Sequence, residues 1–484
     1  MDEDLPPLES YGERPANRAS KSNGKKRTSS KARQPPSFER TDVAMADGLA
    51  RRFSRELRNC NALGGWHRWT GTHWAVDESE YATECLKTMA RQIANAAAAS
   101  FDTGLLKDAK RIGSGSGAQA ILRLARSAPG IVFTPKDANR DPWLLNVQNG
   151  TINLHTGKLR EHDRTDLITR CCPMDYDPKA TAPMFAKFLQ EIQPNGKIRD
   201  YLARLFGYAA VGVVRDHVLG VLWGPGANGK SVLADVVMHA LGDYAKPGPS
   251  SLIVQAGKHT APHPTDVASC VDSRLVVVHE TKRGASFDAS KVKLLTGGDR
   301  LTARFMRQDF FVFEPTHTLL MLSNYKPAVD AGDVALWRRV QLVPFEVVIP
   351  EKHQDRKLAE KIKRDESPGV LRWIVEGALQ WQEQGLNPPD TVREQTEAYR
   401  ADEDVIGQFI EECCVRNKAA KVKAGSLYAT FKDWCGSQGA NPVRGNDFFA
   451  EIMGRGFQRV KTSAGAVYHG IGLHAKDDEG GWHE

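Results

Sequence analysis

The stretch His217–Ser231, HVLGVLWGPGANGKS, decides how the rest of the chain is read. Val218, Leu219, Val221, Leu222 and Trp223 form a short apolar run of the kind that makes a buried strand. Gly224, Pro225, Gly226, Ala227, Asn228, Gly229, Lys230 and Ser231 then fit the pattern G-x-x-x-x-G-K-[ST]. Val232–Leu241 has helical character and stops at Gly242. Strand, glycine-rich loop and helix in that order predict a cradle for a polyphosphate such as that of ATP. Glycines let the backbone approach closely and turn its N–H groups inward, and the helix N-terminus adds positive dipole. In this pattern Lys230 reaches the β- and γ-phosphates and the Ser231 hydroxyl ligates Mg²⁺. The plain alternative, a glycine turn before an ordinary helix, is disfavoured by the flanking elements.

Working outward, the elements after the loop supply what a nucleotide hydrolase needs. These are an acid to organise Mg²⁺ and water, a polar group at the γ-phosphate and, often, an arginine. Arg274–Glu280, RLVVVHE, reads as a second buried strand closing on Glu280. Thr318–Asn324, TLLMLSN, reads as a third, closing on Asn324. Asp333–Arg339 predicts a short helix carrying Arg338 and Arg339, followed by a strand over Val340–Phe345. Each candidate is expected at an element end facing the loop, with the arginine pair suited to reach a neighbouring subunit's site. Residues 300–313 alternate as a hairpin would, and the polar Lys246–Pro264 predicts a mobile loop over the site. Several parallel-type strands separated by helices point to an α/β nucleotide-binding core.

The rest of the 484 residues allows about two to four domains. Residues 1–40 read as a disordered basic tail: Arg14–Arg33 holds eight Lys or Arg and no acid. Such a tail either neutralises phosphates or is merely solvated, and Lys25-Lys26-Arg27 is a weak nuclear-signal pattern. Residues 41–142 read as a mixed α/β region. Within it Trp66–Trp74, WHRWTGTHW, predicts a hairpin whose tryptophans either stack on bases or, more commonly, form its packed side. Residues 143–212 read as a helical domain preceding the ATPase domain at 213–400, with 143–160 alternating as strands around the turn signals Asn149-Gly150 and Thr156-Gly157 and 183–212 helical. Residues 401–474 show three helices followed by two strands, a winged-helix pattern decorated by Lys418, Lys421, Lys423, Arg444, Arg455, Arg459 and Lys461. Residues 475–484 read as a loose tail. No apolar run approaches the ~20 residues of a membrane span. The N-terminus has no apolar signal segment, and the eight cysteines include no C-x-x-C pair, so a cytoplasmic protein with reduced thiols is expected. The net charge of +7 permits nucleic-acid binding without proving it.

Taken together, GPGANGKS, LVVVHET, KLLTGGDRLTARF, LLMLSNYKP and ALWRRV resemble the ordered motifs of superfamily 3 helicases. The nearest branch is that of the phage and plasmid primase-helicases, akin to the poxvirus primase-helicase. The resemblance covers about Trp143–Trp381, and the closing segment is similar to the family's winged helix. It implies an AAA+-type P-loop ATPase that uses ATP and Mg²⁺ and works as a homo-oligomeric ring, usually a hexamer. Such a ring translocates on single-stranded DNA, typically 3′ to 5′, and opens forked duplex DNA during replication. Carried over, Lys230 and Ser231 are the Walker A contacts, Glu280 the Walker B acid and metal ligand, and Asn324 the sensor. One of Arg338 and Arg339 is the trans finger. Lys293, Arg304 and Arg307 are the candidates for contact with DNA. Many relatives carry paired acids where His279 precedes a single Glu280, so either Glu280 serves both roles or another acid such as Asp299 assists. The region ahead of residue 143 is short and shows no paired-carboxylate or zinc-ligand spacing. Helicase action without primer synthesis is therefore expected, with any primase or initiator as a separate partner, in a phage or mobile element of a bacterial host. Two alternatives stay open: an ATP-switched initiator or loader that does not unwind processively, and a primase-helicase.

Overall fold

The computed structural model describes residues 41–255, 264–279, 284–307, 309–463, 465–476 and 482–483. The expected basic tail and Glu280 lie outside the described residues. Contacts divide the chain into two compact units, one of residues up to 152 with 159–171, the other of 153–158 with 172 onward.

In the first unit, α1 (Asp42–Phe53) is nucleated by Thr41, whose side chain accepts the Ala44 N–H, and closes on Arg51 and Arg52. The strands β1 (Leu57–Cys60), β2 (Gly65–Trp69) and β3 (Trp74–Val76) form an antiparallel sheet with Leu57 opposite Arg68 and Trp69 opposite Trp74. The tryptophan hairpin is therefore present, with one strand more than the alternation indicates. Trp74 is wholly buried and Trp66 packs against the helical core, so two of the three are structural. The helices α2 (Tyr81–Ser100), α3 (Thr103–Ile112) and α4 (Gly115–Ala125) close around Leu49, Phe53, Leu86, Met89, Ile93 and Ile121. They are followed by β4 (Leu144–Val147), β5 (Gly150–Asn153) and β6 (Lys158–Arg160), paired in that order. Residues 144–160 are thus strands and turns, as the two turn signals indicate, and helices run from Pro183. Only the helical label for the whole of 143–212 is corrected.

The second unit opens with α5 (Pro183–Ile192) and α6 (Gly196–Val211). Its centre is a parallel sheet of β7 (Leu219–Trp223), β8 (Ala245–Gly248), β9 (Leu275–His279), β12 (Thr318–Ser323) and β13 (Val340–Pro344), in the order β13-β7-β12-β9-β8. Every residue of β12 is buried, as expected of a strand covered on both faces. Between these strands run α7 (Lys230–Leu241), α8 (Pro264–Ala268), α9 (Ala289–Leu295), the antiparallel pair β10 (Leu301–Ala303) and β11 (Phe311–Phe313), and α10 (Val334–Trp337). The mobile loop expected over Lys246–Pro264 is corrected in part. Ala245–Gly248 is the edge strand, held parallel to β9, and Ser250–Leu252 is a helical turn. Residues 256–263 lie outside the described residues.

After α11 (Leu358–Asp365), α12 (Ser367–Gln384) and α13 (Asp390–Glu403), the chain forms α14 (Val405–Cys413), β14 (Cys414–Lys423), α15 (Ala424–Gln438), α16 (Gly445–Gly454), β15 (Gln458–Thr462) and β16 (Gly465–Leu473). The sheet order is β14-β16-β15, over a core of Phe409, Phe431, Trp434, Phe448 and Tyr468. The strand β14 escapes the sequence pattern because its register shifts between Arg416 and Lys421, which spoils the alternation. The loose tail expected over 475–484 is also corrected, since β17 (Ala475–Lys476) pairs with β18 (Trp482–His483).

Candidate nucleotide-binding site

The strand β7 delivers the chain to Gly224 at the carboxyl edge of the parallel sheet, where open α/β sheets bind their ligands. The loop needs its glycines for space as well as for turning. A Cβ at Gly224 would lie 2.1 Å from the Phe345 carbonyl oxygen, and one at Gly229 would lie 2.5 Å from Ile192 Cγ2. Gly229 also takes φ +77° and offers no side-chain acceptor to α7. The first N–H groups of that helix are left for a ligand.

Lys230 is the chemical centre. It is 4% exposed, and its Nζ donates to the Gly224 carbonyl at 2.8 Å, to Asn228 Oδ1 at 2.9 Å and to Asn324 Oδ1 at 3.3 Å. All three acceptors are neutral. Among the described residues no carboxylate stands within ion-pair distance of this ammonium. Burial draws its pKa down to about 8. A buried cation without a counter-charge is costly, and a polyphosphate in the loop would supply that charge. Asn228 is itself held, its Nδ2 donating to the Phe345 carbonyl at 2.8 Å. Ser231 is exposed on the first turn of α7. A hydroxyl beside a phosphate cradle suits Mg²⁺, which keeps waters and phosphate oxygens in its shell and needs few protein ligands. Among the described residues no group of three His, Cys, Asp or Glu side chains could hold a metal by itself.

Asn324 follows Ser323, which lies opposite Trp223, so pairing of β12 with β7 brings its amide to the loop. The strand β9 ends at His279 opposite Leu322, and Glu280 beyond it lies outside the described residues. The arginine pair does not face this edge. The Arg339 carbonyl accepts the Leu219 N–H at 2.7 Å, which fixes the pair at the start of β7, whereas the phosphate loop follows its end. Five residues of strand separate them, roughly 17 Å, more than an arginine side chain spans. The expectation that each candidate faces its own loop is corrected for these two. Asp299 is corrected on the same ground: a Cβ on its neighbour Gly298 would lie 3.3 Å from the Val214 carbonyl, ahead of β7. It cannot assist at its own chain's Lys230.

The two arginines also differ from each other. Arg339 is half-buried, its Nε donating to Thr296 Oγ1 at 3.1 Å and its Nη1 to the Ala335 carbonyl at 2.6 Å. Arg338 is exposed, and among the described residues its guanidinium has no partner. Thr296 was visible only as part of a Thr-Gly-Gly-Asp run. In the structure it is a hub that accepts from Arg339, donates to the Val292 carbonyl at 2.6 Å and receives His217 Nδ1 on its own carbonyl at 2.7 Å.

Lys293 pairs with Asp333 at 2.9 Å, and Asp333 in turn caps α10 by accepting the Leu336 N–H at 3.0 Å. This lysine supports the helix that carries Arg338. Arg304 and Arg307 sit on the turn between β10 and β11. The Arg304 guanidinium lies 4.9 Å from the Phe310 ring centre, and Arg307 is exposed at φ +60°. Met306 at 77% and Phe310 at 60% exposure make this turn the most open apolar point of the second unit's described residues.

A glycine-rich loop with a buried lysine at the carboxyl edge of a five-stranded parallel sheet gives the second unit the form of an α/β ATPase-like core. Comparison with known proteins narrows the class. Residues 46–194 match a family model described as D5 N terminal like, and residues 401–470 match one described as Poxvirus D5 protein-like. Residues 222–339, between them, match a family of unknown function, DUF5906. The chain thus carries a D5 N terminal like domain and a Poxvirus D5 protein-like domain. It is 26% identical over 322 residues to "Putative helicase L207/L206" of Acanthamoeba polyphaga mimivirus, a match covering 62% of this chain and 33% of that protein. It is 24% identical over 320 residues to "Putative primase C962R" of African swine fever virus, covering 61% of this chain and 33% of that one. The chain therefore spans about a third of the length of these curated relatives. A solved structure of the apo NrS-1 C-terminal region aligns over 72% of this chain and 86% of that one, at 9% identity and a TM-score of 0.41.

Proposed function

We propose that this chain is an ATP-dependent DNA helicase of the AAA+ type, assembling as a homo-oligomeric ring and acting in replication of a viral, phage or mobile-element genome. One observation carries the reading: Lys230 and Arg338 stand at opposite ends of the same strand. A subunit that holds a triphosphate at one edge of its sheet and presents a free guanidinium at the other cannot complete its own site. A second copy, packed edge to edge, can. Ring closure by repetition of one heterologous contact follows, a hexamer being the expectation from the resemblance.

In this reading the loop N–H groups and the charged Lys230 orient the β- and γ-phosphates; Ser231 and Glu280 would hold Mg²⁺, which would neutralise phosphate charge. Asn324, already on Lys230, reports the γ-phosphate and orients the attacking water. Arg338 from the adjacent subunit stabilises the charge that develops as the phosphoryl group leaves. Arg339, anchored to Thr296, keeps the helix in place. The turn bearing Arg304 and Arg307 grips backbone phosphates of a single strand, moving with each hydrolysis. The 401–474 region is read as a winged helix, supported by its order of three helices and three strands and by exposed Lys421, Arg459 and Lys461. Arg455 is excluded from that basic set, being bidentate to Asp404 at 2.9 and 2.6 Å. The 3′ to 5′ polarity rests on the resemblance alone.

The test is particle size by light scattering with and without ATP and single-stranded DNA, followed by strand displacement on a forked duplex with Lys230→Ala as the blank. Nucleotide-dependent assembly with displacement supports the reading. Assembly without displacement favours an ATP-switched loader.

A further inference from the structure

We infer that the first unit carries a second, nucleotide-independent binding site for single-stranded nucleic acid, in a cleft between the α1–β1 junction, the β2–β3 turn and residues 162–165. The cleft has a volume of about 540 Å³, and Arg55, Arg58, Trp69, His162 and Arg164 are among its lining residues. That is within the roughly 300–1,000 Å³ of ordinary ligand sites.

Its charge is unbalanced. Among the described residues no carboxylate lies within 4.0 Å of the Arg55, Arg58 or Arg164 guanidinium. Asp163, the acid on the rim, is turned into its own loop, accepting the Thr165 N–H at 2.8 Å and the Thr165 hydroxyl at 2.7 Å. Arg58 is half-buried, held by the Ser54 and Leu57 carbonyls, and burial together with the charge of Arg164 lowers its pKa. Two guanidiniums that repel each other in a partly desolvated cleft are stabilised by an anion between them, and phosphate matches their fork geometry.

The cleft also offers flat surface. Arg58 lies over the Trp74 ring at 4.7 Å and Arg164 over the Trp69 ring at 5.5 Å, while Trp69 meets Trp74 edge-on at 5.4 Å. The Trp74 Nε1 donates to the Arg164 carbonyl at 2.9 Å, fixing one cation against the aromatic pair. Trp74 is buried, but Trp69 is only half-buried. Guanidinium planes and an accessible indole beside a phosphate seat are the parts from which sequence-tolerant single-strand sites are made.

The test uses the full chain without nucleotide, so that it is independent of the P-loop reading. Anisotropy of a fluorescein-labelled dT oligonucleotide is followed for the natural protein and for Arg58→Gln/Arg164→Gln, across a range of salt. Loss of two phosphate contacts is expected to weaken binding about 10-fold and to flatten the salt slope by about 1.4. DNA-free ATPase should be unchanged. So that the outcome does not depend on folding of the double variant, a second arm keeps the natural protein and photocrosslinks an iodouracil-containing oligonucleotide, mapping the attached peptide. Crosslinking at Trp69 that persists with millimolar dTTP supports a strand in the cleft. Crosslinks confined to other regions would overturn the inference. So would an unchanged affinity and salt slope in a folded double variant. Loss of the Trp69 crosslink on adding dTTP would overturn it in favour of a free nucleotide.

Discussion

The glycine loop around Lys230 and the cleft around Arg58 and Arg164 are both concentrations of positive charge with which no carboxylate among the described residues forms an ion pair, yet they are built in different ways. The loop comes from one uninterrupted run, Gly224–Ser231, whose backbone and side chain act together. The cleft draws Arg55 and Arg58 from one part of the chain, Trp69 from a second and Arg164 from a third. Lys230 is buried and held by three neutral oxygens, whereas Arg58 and Arg164 are partly solvated and each lies over a tryptophan ring, Arg58 held by two backbone carbonyls as well. Contiguity suits a site that must place one charge at one phosphate. Dispersal suits a surface that accepts any strand.

The largest effect that bears on this contrast concerns the arginine pair. Arg338→Ala is expected to lower ATPase about 10³-fold with nucleotide binding intact, as loss of a finger does. Arg339→Ala should instead lower thermal stability, because it leaves the Thr296 hydroxyl without its donor. Phosphate release and thermal melts on both variants separate the two roles, and equal behaviour would break the distinction. Next is Lys230→Ala, expected to cost about 10²–10³ in hydrolysis while leaving nucleotide-free binding of the dT oligonucleotide unchanged. In the natural protein the lysine is charged below its pKa of about 8, and a bound phosphate raises that value. Nucleotide affinity should therefore be level below pH 8 and fall as pH rises beyond it. Calorimetric titrations at pH 7 and pH 9.5 check this.

His317 sharpens the comparison from the other side. It is buried like Lys230, at 2% exposure, but neither ring nitrogen has a well-formed partner among the described residues. Burial, only partly offset by the Leu295 carbonyl, takes its pKa to about 4. Above pH 6.5 the ring is neutral in both folded and unfolded chains. Between pH 6.5 and 4 only the unfolded chain takes the proton, so stability falls as pH falls through that window. The loss should be about 2 kcal/mol between pH 7 and pH 5, and His317→Leu should show a smaller pH dependence in denaturant melts. The smallest effect is that of Lys293→Ala. Loss of its pair with Asp333 should cost about 0.5–1 kcal/mol and a modest share of ATPase, with no change in affinity for single-stranded DNA. A weakened DNA complex would return Lys293 to the strand-contacting set.

The legibility of the two sites follows from the same difference. The P-loop, the order of apolar strands and the hairpin at 300–313 could be read because each is a local pattern with a fixed period or spacing. Asn324 could be read because the residue after a buried strand necessarily lies at its carboxyl edge. The side of the sheet occupied by Arg338 could not, because a strand of unknown direction has two ends and only the Leu219–Arg339 hydrogen bond says which. The edge strand β8 was hidden in a polar segment containing Pro247, which an edge strand tolerates. The cleft was hidden altogether: Arg58 and Arg164 are more than 100 positions apart, and only Trp69, inside a suspicious aromatic hairpin, hinted at it.

In the proposed ring, the triphosphate held by one copy is attacked with help from Arg338 of the next. The most direct test mixes Lys230→Ala protein with Arg338→Ala protein and measures phosphate release against mixing ratio. Each is expected to be inactive alone. A mixture should regain activity, peaking near equal amounts, because some interfaces then pair an intact loop with an intact arginine. No recovery at any ratio, with both variants shown to co-assemble, would contradict the account.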